Sequence, residues 1–148
     1  MRFNNILVVC VGNICRSPTA EYLLKKRLSE AGSSATVRSA GLSALVDKGV
    51  EANALALLQE QGVDASDHKA RQVNATMLAE ADLVLAMEEG HIRALHQISP
   101  AARGKCFLLG KWLNDREIPD PYRKSRAMFE SVYELIDDST EQWQKMIG

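Results

Sequence analysis

A chain of 148 residues with 18 Lys and Arg against 19 Asp and Glu is sized for one domain, 1–148, that buries about two-thirds of its unfolded surface. Nothing in this charge balance argues for a nucleic-acid surface, and no apolar run approaches the roughly 20 residues of a membrane span. Three cysteines, an odd number, and an N-terminus without a signal-peptide pattern lead us to expect a protein of the reducing cytoplasm, not membrane-inserted and without a disulfide scaffold.

The first predicted element is a strand. Ile6, Leu7, Val8 and Val9 present no polar face, so residues 6–9 read as fully buried in a sheet. The run stops at Cys10; Val11, Gly12, Asn13, Ile14 and Cys15 follow, then Arg16 and Ser17-Pro18. Ser17 is a good N-cap, Pro18 suits a first helical turn, and Glu21 is favourable near a helix N-terminus. A loop that curls at such a terminus aims backbone N–H groups inward and forms a nest for an anion. Gly12 and Asn13 tolerate the positive φ angles this requires. Arg16 offers a planar, two-pronged grip on phosphate oxygens. A cysteine facing the nest is expected to ionise readily, because the donors and the helix dipole stabilise its thiolate, and a thiolate beneath a bound phosphate is poised for in-line attack. Taken singly, Cys10 would be a strand-end core thiol and Arg16 a surface charge. The strand–Cys-x5-Arg-Ser-Pro–helix order makes that reading the weaker one.

Residues 18–31 form an amphipathic helix through Ala20, Leu23, Leu24 and Leu28, ended by Gly32. A second strand is expected over 35–40, with Ser39 at its exit. A helix over 51–62, ended by Gly62, is followed by a loop over 63–73 that contains His68 and Arg71. A short helix (74–81), a buried strand (82–87) and a helix over 88–97 come next, the last begun by Glu88 and Glu89 where acidic residues are favourable. His91 and His96 are assigned to its polar face; no third ligand is spaced to join them, so no metal is expected. Residues 106–109 form the fourth strand, with Cys106 as a small core residue. In the loop over 110–124, Pro119 and Pro121 bracket Asp120 and restrict the backbone around it. A carboxylate held so rigidly suits general-acid work. Residues 125–147 close the chain as a helix whose stripe of Met128, Phe129, Val132, Tyr133, Ile136 and Trp143 is core packing.

Four strands alternating with helices predict an α/β doubly wound domain around one parallel sheet, with the site at the carboxyl ends of the strands. Residues 10–18, Ser39-Ala40-Gly41, His68-Lys69-Ala70-Arg71-Gln72 and Asp120-Pro121-Tyr122-Arg123 together resemble the low-molecular-weight protein tyrosine phosphatases over essentially the whole chain. Residues 41–46 and 118–125 are most similar to the bacterial branch that accompanies exopolysaccharide and capsule tyrosine kinases. The resemblance implies strand order 2-1-3-4 and catalysis without metal or cofactor. It implies Cys10 as nucleophile, Arg16 with the amides of residues 11–16 (Val11, Gly12, Asn13, Ile14, Cys15, Arg16) as the phosphate grip, and Asp120 as general acid and base. Asn13, Ser17, Ser39 and His68 would form the network that holds the phosphate loop open. Leu42, Leu45 and Tyr122 would line the cleft mouth, with Leu where the family often carries an aromatic residue. The implied partner is the tyrosine-rich tail of an autophosphorylating kinase, met by a monomer.

Three rivals are weighed on the same residues. An arsenate reductase on this fold needs further cysteines for its thiol relay, and residues 82–92 contain none. Protein-arginine phosphatases usually have Thr where this chain has Ile14. A silent phosphopeptide-binding module would not need Cys10, Arg16 and Asp120 together. Cys15 is expected to pack beneath the loop in the reduced protein; after peroxide has oxidised Cys10, it would condense with it to a disulfide.

Overall fold

An apolar run with no polar face is stable only where both of its sides are covered, and this one lies at the centre of a sheet. The computed structural model describes residues 3–148. In it β1 (Asn5–Cys10), β2 (Thr36–Gly41), β3 (Leu83–Ala86) and β4 (Cys106–Leu108) pair in parallel in the order β2-β1-β3-β4, the expected order. Alternate residues of β1 face opposite sides. Ile6, Val8 and Cys10 join Leu24 and Leu28 of α1 (Arg16–Glu30) and Ile136 of α5 (Arg126–Ile147) in one cluster. Leu7 and Val9 join Leu78 of α3 (Ala75–Glu80) and Leu95 of α4 (Glu89–Ile98) in another. Burying each such side chain is worth about 1.5–3 kcal/mol. β1 therefore anchors both layers.

The helix boundaries follow local chemistry. α2 (Ala52–Glu60) starts after Glu51, whose carboxylate accepts from the amides of Asn53 and Ala54, and α3 starts after Asn74, which accepts from Met77. The sequence places both capping residues inside their helices. Ser125 caps α5 by accepting from the Met128 amide, and Trp143 on its apolar stripe donates Nε1 to the Leu109 carbonyl at 2.8 Å. Gly32 (φ 76°) and Gly62 (φ 75°) turn the chain out of α1 and α2, as expected.

Two assignments are corrected. Ser17 does not cap α1, which begins at Arg16, two residues earlier than expected, with Cys15 at the N-cap and no side-chain cap; the Ser17 hydroxyl is engaged elsewhere. His91 is buried and lies off the polar face of α4; its Nε2 stands 3.6 Å from Glu88 Oε2, at the helix end that holds Arg16.

The chain leaves β1 for β2 on one side and reaches β3 on the other. That reversal opens a crevice at the carboxyl end of β1, where Cys10 stands. Among the described residues no helix is long and apolar enough to cross a membrane.

Candidate active site

The loop from Cys10 to Arg16 is held by its carbonyls. Those of Cys10, Val11 and Gly12 accept from the amides of Leu42, Ser43 and Leu45 at 2.9, 2.9 and 3.0 Å, and that of Ile14 accepts from the Glu51 amide at 2.8 Å. The Asn13 carbonyl accepts from Nε2 of His68 at 2.8 Å, which fixes the proton of that ring on Nε2. With the carbonyls turned outward and bonded, the five amides of residues 11–15 donate to nothing among the described residues. Free amides turned to one side of a loop are donors of the kind an anion can take up. Close approach of β2 makes this possible: a Cβ on Gly41 would collide with the Val11 carbonyl oxygen.

Asn13 is the residue that takes the left-handed conformation, at φ 60°; Gly12 does not use it. The strain at Asn13 is offset by its contacts, since the side chain is fully buried and all its polar atoms are bonded. Its Nδ2 donates to Ser17 Oγ at 2.8 Å and to Ser39 Oγ at 2.9 Å, and its Oδ1 accepts from the Arg71 amide at 3.0 Å. Ser39 in turn donates to Oε1 of Glu21. Thus Asn13, Ser17, Ser39 and His68 are brought together around one loop. Glu21, read from the sequence only as a helix-terminal acid, is the buried carboxylate at the end of this chain of bonds, and Lys25 pairs with it.

Ser17 Oγ lies 2.9 Å from Cys10 Sγ. Oγ accepts from Asn13 and keeps its own hydrogen, so it can donate to the Cys10 sulfur as well as accept from it. The other loop thiol is held differently. Burial pushes the Cys15 thiol well up, the charges of Glu51 and Cys10 add to this, and Cys15 packs beneath the loop with Ala54, Leu57 and Phe129. It stays protonated. All three cysteines are free, and Cys106 is a core residue whose thiol burial also pushes up.

Arg16 is only 2% exposed. Its Nη1 donates to Glu88 Oε2 at 2.6 Å and to the Ile118 carbonyl at 2.8 Å, while Nη2 stands 3.9 Å from Asp120 Oδ2. A buried guanidinium needs such partners, and they fix the plane in which it meets a ligand. Glu88 is the functional residue the sequence analysis missed. The available signal was its place just past β3, since neighbouring parallel strands end at the same side as Cys10.

Cys10, Arg16 and Asp120 line one cavity of about 200 Å³, with Leu45 and Tyr122 in its wall. Leu42 is not part of it. Leu42 packs against the cluster of Leu7 and Val9, and Ser43 takes the wall position instead. A larger cavity of about 320 Å³ lies around Asn5, Arg38 and Met77, away from every residue of the phosphate loop. Size does not select the site here; the convergence of nucleophile, donors and carboxylate does. Among the described residues no group of three or more His, Cys, Asp or Glu is placed to hold a metal ion.

Comparison with known proteins adds an independent line. The family model described as low molecular weight phosphotyrosine protein phosphatase matches residues 5–148. The low molecular weight protein-tyrosine-phosphatase Wzb of Salmonella typhimurium is 52% identical over 146 residues, covering 99% of this chain and 95% of that protein. The structure of Vibrio vulnificus Wzb in complex with benzylphosphonate superposes with a TM-score of 0.92 at 45% identity, covering 97% of this chain and 99% of that one. An arginine phosphatase, YwlE, shares the fold at a TM-score of 0.91 and 28% identity over 97% of this chain and 95% of its own.

Proposed function

The chain belongs to the low molecular weight phosphotyrosine protein phosphatase family and is a protein-tyrosine phosphatase; we propose that it acts by two displacements at phosphorus, through a phosphocysteine on Cys10. The carrying observation is that Cys10 and Arg16, from one loop, and Asp120, from far along the chain, line a single cavity above unbonded loop amides. In the first step the Cys10 thiolate forms the S–P bond as the P–O bond to the tyrosyl oxygen breaks. Asp120 gives its proton to the departing phenolate, whose conjugate acid has a pKa near 10. Arg16 and the amides of residues 11–16 hold the three equatorial oxygens through both steps. In the second step Asp120 takes a proton from water as that water attacks phosphorus and Cys10 departs as thiolate.

Initial rates on phosphotyrosine, phosphoarginine and arsenate test the substrate class. Turnover is expected on phosphotyrosine. Faster hydrolysis of phosphoarginine, or reduction of arsenate, would overturn it.

The grip on phosphate depends on the hold on Arg16. Replacing Glu88 with Gln removes the closer of the two carboxylates beside the buried guanidinium, leaving Asp120 at 3.9 Å, and loosens its plane. The expected result is a fall in kcat of about 10²-fold with a smaller change in KM, measured on an aryl phosphate. An unchanged kcat would mean the Ile118 carbonyl alone positions Arg16.

The partner we propose is the tyrosine-rich tail of an autophosphorylating kinase, a reading supported by the resemblance of residues 41–46 and 118–125 and by the rim of the cavity. Val11, Leu45 and Tyr122 are 38, 42 and 38% exposed there, and Val46, 57% exposed, follows Leu45. Such a rim offers apolar contact to a bound peptide. Leu45→Asp is expected to lower kcat/KM on a phosphorylated tail about tenfold, the loss of one well-packed apolar contact, and that on a small aryl phosphate far less. Equal losses would count against docking. We also propose that Cys15 condenses with a Cys10 sulfenic acid to a disulfide, with loss of water, once the loop opens enough to relieve the burial that keeps the Cys15 thiol protonated.

A further inference from the structure

His91 has no role in the mechanism above, yet it is buried beside Glu88, the carboxylate that holds Arg16. Its Nε2 lies 3.6 Å from Glu88 Oε2, the same oxygen that accepts from Arg16 Nη1 at 2.6 Å. Its Nδ1 is buried and has no hydrogen-bond partner among the described residues. A buried nitrogen without a partner is costly, and far more so when it carries a proton. We infer that His91 is a positioning residue: its neutral ring leaves Glu88 committed to Arg16, and protonation of the ring draws Glu88 away and releases the guanidinium.

The charged groups facing the ring are Arg16 on α1, Glu88 at the head of its own helix, and Glu117 and Asp120 on the loop after β4. Burial first, and then the Arg16 charge, hold the ring below the usual histidine range, against the opposing pull of the three carboxylates. The ring is therefore neutral at neutral pH and gains its proton only on the acid side. Once charged, it competes with Arg16 for one carboxylate oxygen, and the two cations repel each other. Arg16 then loses the partner that fixes its plane, so the transition state suffers more than substrate binding does. The inference rests on the reading of Arg16 as the phosphate grip.

The test uses His91→Gln, which keeps an amide donor near the Nε2 position but cannot titrate. On an aryl phosphate, the ratio of kcat for the variant to kcat for the parent should rise about threefold or more as the pH falls through the His91 ring titration followed by NMR in the parent, with the KM ratio flat. Losses due to Cys10 or Asp120 titration are common to both proteins and cancel. A flat kcat ratio overturns the inference. So does a rise that persists when both proteins also carry Glu88→Gln, since His91 would then act on phosphate by its own charge. A readout independent of turnover is the NMR signal of the Arg16 guanidinium, which should move with the His91 ring titration in the parent and stay fixed in His91→Gln. If the parent does not hydrolyse aryl phosphates, the catalytic reading fails by itself. The guanidinium signal then decides the relay: tracking supports it, and no movement overturns it.

Discussion

Replacing Cys10 with Ser is expected to abolish turnover of phosphotyrosine, by roughly 10⁴-fold or more in kcat, while phosphate and sulfate still bind. The two halves of this result have separate causes. On the proposed mechanism binding is the work of the loop amides, which remain oriented because the carbonyls of residues 10–14 are held from outside by Leu42, Ser43, Leu45, His68 and Glu51. Arg16 also keeps Glu88 and Ile118. Chemistry, by contrast, needs an anion at position 10, and a serine hydroxyl beside Ser17 has no base to take its proton. Removing the thiolate also removes a negative charge from beneath the bound anion, so affinity stays or improves. Isothermal titration with phosphate, alongside initial rates on an aryl phosphate, measures both halves on one preparation. Full hydrolysis by the variant would sink the covalent mechanism. Loss of phosphate binding with the fold intact would instead move the anion site off the loop.

The parts of this site that were legible in the sequence are those whose chemistry is local. Strand, loop and helix start follow one another within residues 5–18, and each announces itself by pattern: an apolar run, a Gly-Asn pair, a Ser-Pro. Asp120 was legible for a similar reason, since its flanking prolines restrict the backbone on the spot. Glu88 was not, because its partner is 72 residues away and its local context, ahead of a helix, gives any acid a sufficient explanation. His91 was lost in the same way. A histidine on the first turn of an amphipathic helix reads as solvent-facing until it is known what packs on that turn. Ser17 illustrates the converse. Its residue type and position fit an N-cap, but a buried asparagine and a thiol compete for the hydroxyl and win. Leu42 and Leu45 sit three apart in one loop and look alike in sequence; only the course of the backbone beside β1 sends one to the core and the other to the cavity wall. Local backbone demands are written in residue types, whereas contacts across the crevice are written in topology.

Asp120→Asn isolates the proton from everything else that residue does. The Asp120 side chain is 49% exposed; its Oδ1 accepts from the Tyr122 amide at 3.0 Å, and its Oδ2 lies 3.9 Å from Arg16 Nη2. An asparagine keeps the oxygen for Tyr122, the shape and the flanking prolines, so the loop should stay in place. The lost feature is a group able to give a proton and take it back. On phenyl phosphate, whose leaving oxygen needs a proton because the conjugate acid has a pKa near 10, kcat is expected to fall about 10²- to 10⁴-fold. An activated phenol departs readily as the anion, so on such a substrate the first step should lose far less. Rates across phenols of graded acidity therefore give a nearly flat dependence for the parent and a steep one for the variant. The second step supplies a further check, since the variant lacks the base that activates water: phosphoenzyme should accumulate on the activated substrate and be seen by mass spectrometry after rapid quenching. Equal losses across all leaving groups, with no phosphoenzyme build-up, would mean that Asp120 shapes the loop and another group moves the proton.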